Sequence, residues 1–273
     1  MTRSAGDAPR QSTVHERVQS QFGAAAAAYG SSLVHSDSNA LQRVVELASP
    51  KPDDVALDIA TGAGHTALAL APRVASVMAY DLTREMLLET RRNAGARGLT
   101  NVLTKKGPAE KLPFSDSTFD IVTVRQAPHH FADVRSAIRE MARVAKPGAR
   151  IVIVDSTSPE DPVLASQWDH IEKLRDPSHV RNYAPSQWHA MVADAGLRVF
   201  SEEIGFATEN GGRMDFAAWT HRISTLPEAV EELTQLFRNA TPALANALRT
   251  EVVNDALFFC VPMITIGALR ESK

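Results

Sequence analysis

The feature that most constrains this chain is a series of short β-rich runs, "VALDIA", "VASVMAYD", "TNVLTKKG", "FDIVTVRQ" and "ARIVIVDS", which alternate with helical patterns from Val55 onward. "IVTV" and "IVIV" are apolar at consecutive positions, so both faces of such strands must be covered, as in a parallel sheet between two helix layers. Between the runs, "REMLLETRRNAGARG" and "VRSAIREMARVAKPG" place apolar residues at helical spacing and close on Gly98 and on Pro147-Gly148, which stop helices. The alternation predicts an α/β, doubly wound, mostly parallel sheet. Two helical stretches, "TVHERVQSQFGAAAAAYG" and "NALQRVVELASP", precede the first strand, and the run Ala24 to Ala28 reads as a good helix former. Beyond Asp155 the alternation loosens into "PVLASQWDHIEKLRD", "APSQWHAMVADAGL" and "MDFAAWTHRISTLPEAVEELTQLFRN", with strand-like "LRVFSEEIGF" and "LFFCVPMITIG" around the last of these. No internal repeat and no Gly/Ser linker interrupts the chain, so these helices read as an insertion carried by the same sheet. The expected organisation is a helical lid over residues 1–50, an α/β core over 51–160, and substrate-side helices with the final strands over 161–273.

Composition narrows the function. A chain of 273 residues with 44% hydrophobic and 22% charged residues is one enzyme-sized unit with a full core. A formal charge of -3 supplies no basic stripe for a phosphate backbone, so nucleic acid is not an expected partner. The single cysteine, Cys260, rules out an internal disulfide, and its apolar neighbours place it in the core. Cys/His and H-E-x-x-H metal spacings are absent, so no metal is expected. "MTRSAGDAPRQST" lacks an apolar leader, and no run approaches the ~20 apolar residues of a membrane span. The expectation is a soluble cytoplasmic protein whose oligomeric state is open, a homodimer being admissible.

Gly62-Ala63-Gly64-His65-Thr66-Ala67 fits G-x-G-x-x-G/A between a strand and a helix, and Asp81 follows Gly62 by 19 residues at a second strand tip. There an acid in the open cleft would accept hydrogen bonds from ribose hydroxyls. The pattern admits a nicotinamide or flavin oxidoreductase, and also a tight turn with no ligand. Asp58 argues against a dinucleotide, because a pyrophosphate beside it would meet a like charge. A ligand with an ammonium group and no phosphate would suit Asp58, and S-adenosylmethionine (SAM) is such a ligand.

"DIATGAG", "YDLTREML", "GPAEKLPFSDSTFDIVTVRQAPHHF" and "REMARVAKPGARIVIVD" resemble, in order and spacing, the motifs of class I SAM-dependent methyltransferases, especially the ubiquinone/menaquinone-biosynthesis group. The resemblance spans roughly Val14 to Leu197, and "VPMITIGALR" looks like the last strand of that fold. It implies a seven-stranded Rossmann-like sheet with SAM as cofactor. It assigns Asp58, Ala60, Gly62 and Gly64 to the methionine side and Asp81 to the ribose, with Leu82 beside the adenine. Gly107, Pro108, Ala109 and Glu110 match the loop over the adenine edge, and Arg125 with Gln126 ends the fourth strand under the sulfonium. Tyr29 and His35 match the segment that folds over the cofactor. Two departures stand out: Ala60 replaces a usual glycine, and Pro108 replaces an aspartate that usually receives the adenine amino group.

On the acceptor side, methyl transfer needs alignment, exclusion of water and, for many acceptors, a base of near-neutral pKa. His129 and His130 follow the fourth strand at the edge where such sheets bind ligands, although a packing role at the next helix start would also explain them. His179, Arg181 and Tyr183, within "LRDPSHVRNYAPSQW", form a cluster able to hold a polar acceptor, or an ion-paired brace for the next helix. Trp168 and Trp219 read as core residues. The expected activity is methylation of a small, ring-bearing organic acceptor on oxygen, nitrogen or carbon. The alternatives are an oxidoreductase on the glycine loop and a SAM-binding protein that does not methylate.

Overall fold

The computed structural model describes residues 13–30, 38–207 and 212–271. Its strands are β1 (Val55–Ile59), β2 (Ser76–Asp81), β3 (Val102–Lys106), β4 (Phe119–Arg125), β5 (Ala145–Ser156), β6 (Leu197–Phe206), β7 (Met214–Asp215), β8 (Glu251–Val253), β9 (Ala256–Phe259) and β10 (Pro262–Arg270). Seven of them form one sheet in the order β3-β2-β1-β4-β5-β10-β6. The first five run parallel, and β10 lies antiparallel between β5 and β6.

Alternation of side chains along the strands feeds two separate layers. Leu57, Ile59, Val122, Val124, Ile151 and Ile153 point to one face, where α5 (Val134–Val144) and α7 (Pro185–Asp194) cover them. Ala56, Val77, Ala79, Ile121, Val152 and Val154 point to the other, under α2 (Ser38–Ala48) and α3 (His65–Leu70). This two-sided burial is what the consecutive apolar runs encode. The first helix, α1 (Val14–Gly30), packs across α4 (Arg84–Ala96), with Gln19 Nε2 donating to the Leu82 carbonyl at 3.0 Å.

The region after β5 builds a third core. Trp168 on α6 (Pro162–Arg175), Trp219 on α8 (Phe216–His221), Leu233 and Phe237 on α9 (Pro227–Arg238) and Leu244 on α10 (Pro242–Ala247) close around Phe259. Both tryptophans are core residues, as expected. The sequence reading expected helices here and missed a small antiparallel sheet, β7-β9-β8. Its hairpin turns on Asn254 and Asp255, both at positive φ (50° and 67°), the backbone a two-residue turn demands and these side chains tolerate. "LFFCVPMITIG" is correspondingly two strands in two sheets, parted at Cys260-Val261. Pro262 starts the second strand, where a missing N–H is tolerated. Cys260 sits at this junction half-buried rather than in the core. No helix among the described residues is long and apolar enough to cross a membrane.

Candidate functional site

At the carboxyl ends of β1, β2 and β4 a cleft opens over the glycine loop. Its lining runs from Asp81, Leu82 and Met86 through Gly62 and His65 to Arg125, Gln126 and His130. The backbone of the loop is left-handed at Ala60 (φ 51°), Gly62 (φ 56°) and Gly64 (φ 91°). A Cβ on Gly64 would lie 2.8 Å from Thr90 Cγ2, so only glycine fits there, whereas a Cβ on Gly62 would meet nothing within 4 Å among the described residues. The loop therefore turns a bare backbone surface toward open cleft at Gly62. Helix α4 braces it from outside: Thr90 Oγ1 lies 2.7 Å from the Gly62 carbonyl, and Asn93 Nδ2 donates to the Ala63 carbonyl at 3.1 Å.

Two buried carboxylates shape the floor. Asp58 accepts from Thr123 Oγ1 at 2.7 Å, from Thr61 Oγ1 at 2.6 Å and from the Ala67 N–H at 3.2 Å. Burial pushes its carboxyl up, and the donors and the Arg125 charge pull it back. Buried in the floor of the cleft, Asp58 organises the loop from beneath through these three bonds. Asp81 accepts from the Gly62 N–H and the Thr83 N–H, both at 2.8 Å. It is 8% exposed, not freely open to the cleft as the sequence suggested. Burial, opposed by these two bonds and reinforced by the nearby Asp58 charge, raises its carboxyl to about 6.

The loop after β3 is fixed by Tyr80, whose hydroxyl donates to the Pro108 carbonyl at 3.2 Å. A Cβ on Gly107 would come within 1.9 Å of that hydroxyl, which explains the glycine. Glu110 accepts from the Ala132 N–H at 2.8 Å and stands 3.3 Å from His15 Nε2, so its carboxylate ties α1 to the segment ahead of α5. Leu82, Pro108, Ala109 and Glu110 all line the cleft. Three α1 residues that the sequence reading did not nominate, His15, Val18 and Phe22, also line it. The nominated Tyr29 falls on the last turn of α1; its side chain and all of His35 lie outside the described residues.

Phe22, Gln126 and His130 are shared with a second cavity, walled by His129, His179, Glu172, Arg175 and Asp176 and by Met214, Trp219, Ile223, Val261 and Met263. His129 and His130 sit in a short 3-10 turn after β4. His129 Nδ1 is 2.6 Å from Asp155 Oδ1, a fully buried carboxylate whose other oxygen has no hydrogen-bond partner among the described residues. Burial alone would pull the His129 imidazole down, but Asp155, with Glu172 and Asp176 beyond, carries it above its ordinary value. His130 is different. Burial and the adjacent His129 hold it well below the usual range, although Asp176 stands 3.9 Å away. His179 stacks on His129 at 5.5 Å between centroids and lies 3.3 Å from Asp169 Oδ1.

The nominated acceptor cluster divides. His179 lines the second cavity, whereas Arg181 and Tyr183 stand apart from both linings. The Arg181 guanidinium lies over the Tyr183 ring at 5.2 Å, and Tyr183 meets Trp188 edge-on. The cause is the pairing of Tyr183 with the end of β5: it bridges Thr157, and its carbonyl accepts from the Ser158 N–H at 3.3 Å and from the Thr157 hydroxyl at 2.6 Å, which turns this stretch into a brace. Asp155 and Trp219 were missed as site residues. Asp155 could have been found by applying to the fifth strand the tip argument used for the first, second and fourth. No cluster of three or more potential metal ligands occurs among the described residues.

Comparison with known proteins matches this geometry. Residues 57–153 fit a family model described as a methyltransferase domain. The uncharacterized methyltransferase YcgJ of Bacillus subtilis is 43% identical over 175 residues, which cover 64% of this chain and 69% of that protein. Its crystal structure superimposes with a TM-score of 0.79 at 33% identity, covering 86% of this chain and 99% of the other. The protein YafE of Escherichia coli is 38% identical over 210 residues, 75% of this chain and 95% of that one. The ubiquinone/menaquinone biosynthesis C-methyltransferase UbiE of Ectopseudomonas mendocina is 34% identical over 129 residues, 46% of this chain and 50% of that protein. None of this supports the oxidoreductase alternative. The glycine loop, the buried acid at the second strand tip and these relatives agree, and the chain belongs to the class I SAM-dependent methyltransferases.

Proposed function

We propose that the cleft over the glycine loop holds SAM and that the second cavity holds a small organic acceptor, with His129 as general base. The carrying observation is the His129–Asp155 pair at 2.6 Å in a cavity that shares Phe22, Gln126 and His130 with the cleft.

The cleft fits the cofactor by its donor set. A bare backbone at Gly62 admits close approach, Asp81 keeps lone pairs for ribose hydroxyls beyond its two N–H bonds, and Leu82, Met86 and Ala109 offer apolar surface to an adenine. When bound, the cofactor supplies a methyl group made electrophilic by a sulfonium. The chain's part is to hold the acceptor in line and keep water out, and Phe22, edge-on to His130 at 4.9 Å, closes the junction from the α1 side. Asp155 holds Nδ1, which leaves His129 Nε2 to take the acceptor's proton; the imidazolium so formed is stabilised by the same carboxylate. Trp219, Met214 and Met263 give that cavity an apolar wall suited to a ring-bearing molecule. A single cysteine suits a reducing cytoplasm.

The test is to incubate the protein with methyl-labelled SAM and a whole cell extract, separate small molecules from macromolecules, then repeat it with His129→Ala. Label entering a small molecule with the native protein, and reduced by ~10²-fold or more in the variant, supports the reading. Full turnover by the variant would remove His129 from the mechanism, and label found only in protein or nucleic acid would remove the small acceptor.

A further inference from the structure

His130 and Asp176 both line the second cavity and are buried, at 9% and 4% exposure. His130 Nδ1 stands 3.2 Å from the Ser178 carbonyl, a group that can only accept, so the ring's hydrogen sits on Nδ1 and Nε2 presents a lone pair. Nε2 makes no hydrogen bond among the described residues and lies 3.9 Å from Asp176 Oδ2, beyond hydrogen-bond range. Asp176 Oδ1 accepts from the Ser178 N–H at 2.8 Å and from the Ser178 hydroxyl at 2.6 Å, while Oδ2 accepts from no donor among the described residues. Of the two acids in the lining, Glu172 is paired with Arg175 at 3.4 Å, whereas Asp176 makes no ion pair with a lysine or arginine among the described residues. Burial opposes a charge on Asp176, yet its surroundings, the Ser178 bonds among them, keep the carboxyl below its ordinary range and so ionised near neutral pH. A proton on Nε2 would make an ordinary ion pair, but burial and the adjacent His129 keep His130 neutral.

Two acceptors at this spacing are matched by one donor atom. Placed about 2.9 Å from each, it needs two hydrogens, one for Nε2 and one for Oδ2. A hydroxyl has only one and leaves a buried acceptor unmet, which a site of this kind penalises. A primary amine has enough, and as an ammonium it also meets the Asp176 charge. We infer that His130 and Asp176 are the binding site for a primary amino group on the methyl acceptor, which makes the acceptor class a ring-bearing amine. The amino group is the handle and not the atom methylated, because an ammonium has no lone pair with which to attack. Trp219, Met214 and Met263 supply the apolar wall for the rest of the molecule. This rests on the second cavity being the acceptor site, as proposed above.

The experiment is calorimetric binding to the full chain saturated with S-adenosylhomocysteine, with three probes on one phenethyl body: 2-phenylethylamine, 2-phenylethanol, and phenethyltrimethylammonium, which keeps the charge and has no N–H. The native protein is expected to bind the amine about 10- to 100-fold more tightly than either of the others. Asp176→Asn turns a donor of its own toward Nε2, so both preferences should fall to near one. A second measurement needs no variant: the nitrogen-15 resonance of His130 Nε2 in the native protein should move when the amine is added and stay in place with the trimethylated probe. Equal binding of the charged probes would reduce the site to charge attraction and overturn the inference. Preferences that survive in the variant, an unmoved Nε2 resonance, or no binding of the amine would overturn it as well. Each of these leaves the cofactor cleft standing, and the labelling test of His129 decides the acceptor site independently; a chain that does not bind S-adenosylhomocysteine overturns the cofactor placement and this inference together.

Discussion

Replacing Asp81 with alanine separates a carboxylate's structural and ligand-binding work. Asp81 is buried, its two oxygens hold the Gly62 and Thr83 N–H groups at 2.8 Å, and its carboxyl is raised from 3.8 to about 6. The folded protein thus binds this proton more tightly than the unfolded chain. Stability from Asp81 is greatest below the unfolded value and falls as pH rises toward about 6, where it levels off. A shift of about two units corresponds to about 3 kcal/mol at 1.36 kcal/mol per unit. Alanine orphans two N–H groups at roughly 1–3 kcal/mol each, with Gly62 at the low end because its loop faces open cleft. Near pH 4.5 the variant should therefore be less stable by a few kcal/mol, and near pH 7.5 the gap should shrink by about 2 kcal/mol, because roughly a third of the full effect is already lost by pH 4.5. The sequence reading also implies a small effect at neutral pH, but from exposure; here it comes from two opposed terms. Affinity for S-adenosylhomocysteine at pH 7.5 should fall by about 10- to 100-fold. Denaturant unfolding at several pH values and calorimetric titration measure both. A stability gap that stays constant or widens with pH, or an unchanged affinity, would refute the reasoning.

Ala60→Gly should raise the unfolding free energy by up to about 1 kcal/mol, since φ is 51° and the left-handed cost exceeds the added chain entropy; a lower Tm would count against it. Gly64→Ala should destabilise by about 1–3 kcal/mol because its Cβ meets Thr90 at 2.8 Å, whereas Gly62→Ala bears only the backbone cost of about 1 kcal/mol; equal denaturation midpoints for the two would sink this distinction. In Asp155→Asn the His129 imidazole should titrate below its ordinary range instead of above it, because burial remains when the opposing charge is gone. The native pair contributes stability that is present below the unfolded histidine value and is lost as pH rises through the folded one, and the variant should lack that dependence; histidine NMR against pH decides the matter.

What the sequence disclosed follows from local physics. Strands buried on both faces must be apolar at successive positions, and a loop that needs left-handed backbone at Gly62 and Gly64 must show it in composition. What stayed hidden depends on contacts distant in the chain. The face that α1 turns to the cleft, His15, Val18 and Phe22, is set by its docking on α4, and its own sequence pattern cannot say which residues that selects. Arg181 and Tyr183 had the right chemistry for an acceptor site, yet the pairing of Tyr183 with Thr157 turns them into a brace. The small sheet was lost because three strands of two to four residues carry too few positions to show alternation, and only the Asn254-Asp255 turn marks them.

The two adjacent histidines show the same limit within the site. Neighbours in sequence, with ring centroids 4.1 Å apart, they cannot both carry a proton in a buried cavity, because like charges at that range repel strongly. Nothing in "APHHF" decides which one does. The decision is made by Asp155, which β5 delivers against His129, while His130 Nδ1 is turned to the Ser178 carbonyl at 3.2 Å. That division also suits the cleft. His130, which lines the cleft, would as a neutral ring not repel a cationic ligand, and on the proposed reading the proton taken from an acceptor would reside on His129, which lines only the second cavity. On the proposed reading, the Asp155 carboxylate would hold the positive charge at His129 and leave His130, the ring that lines both cavities, neutral beside a cationic ligand.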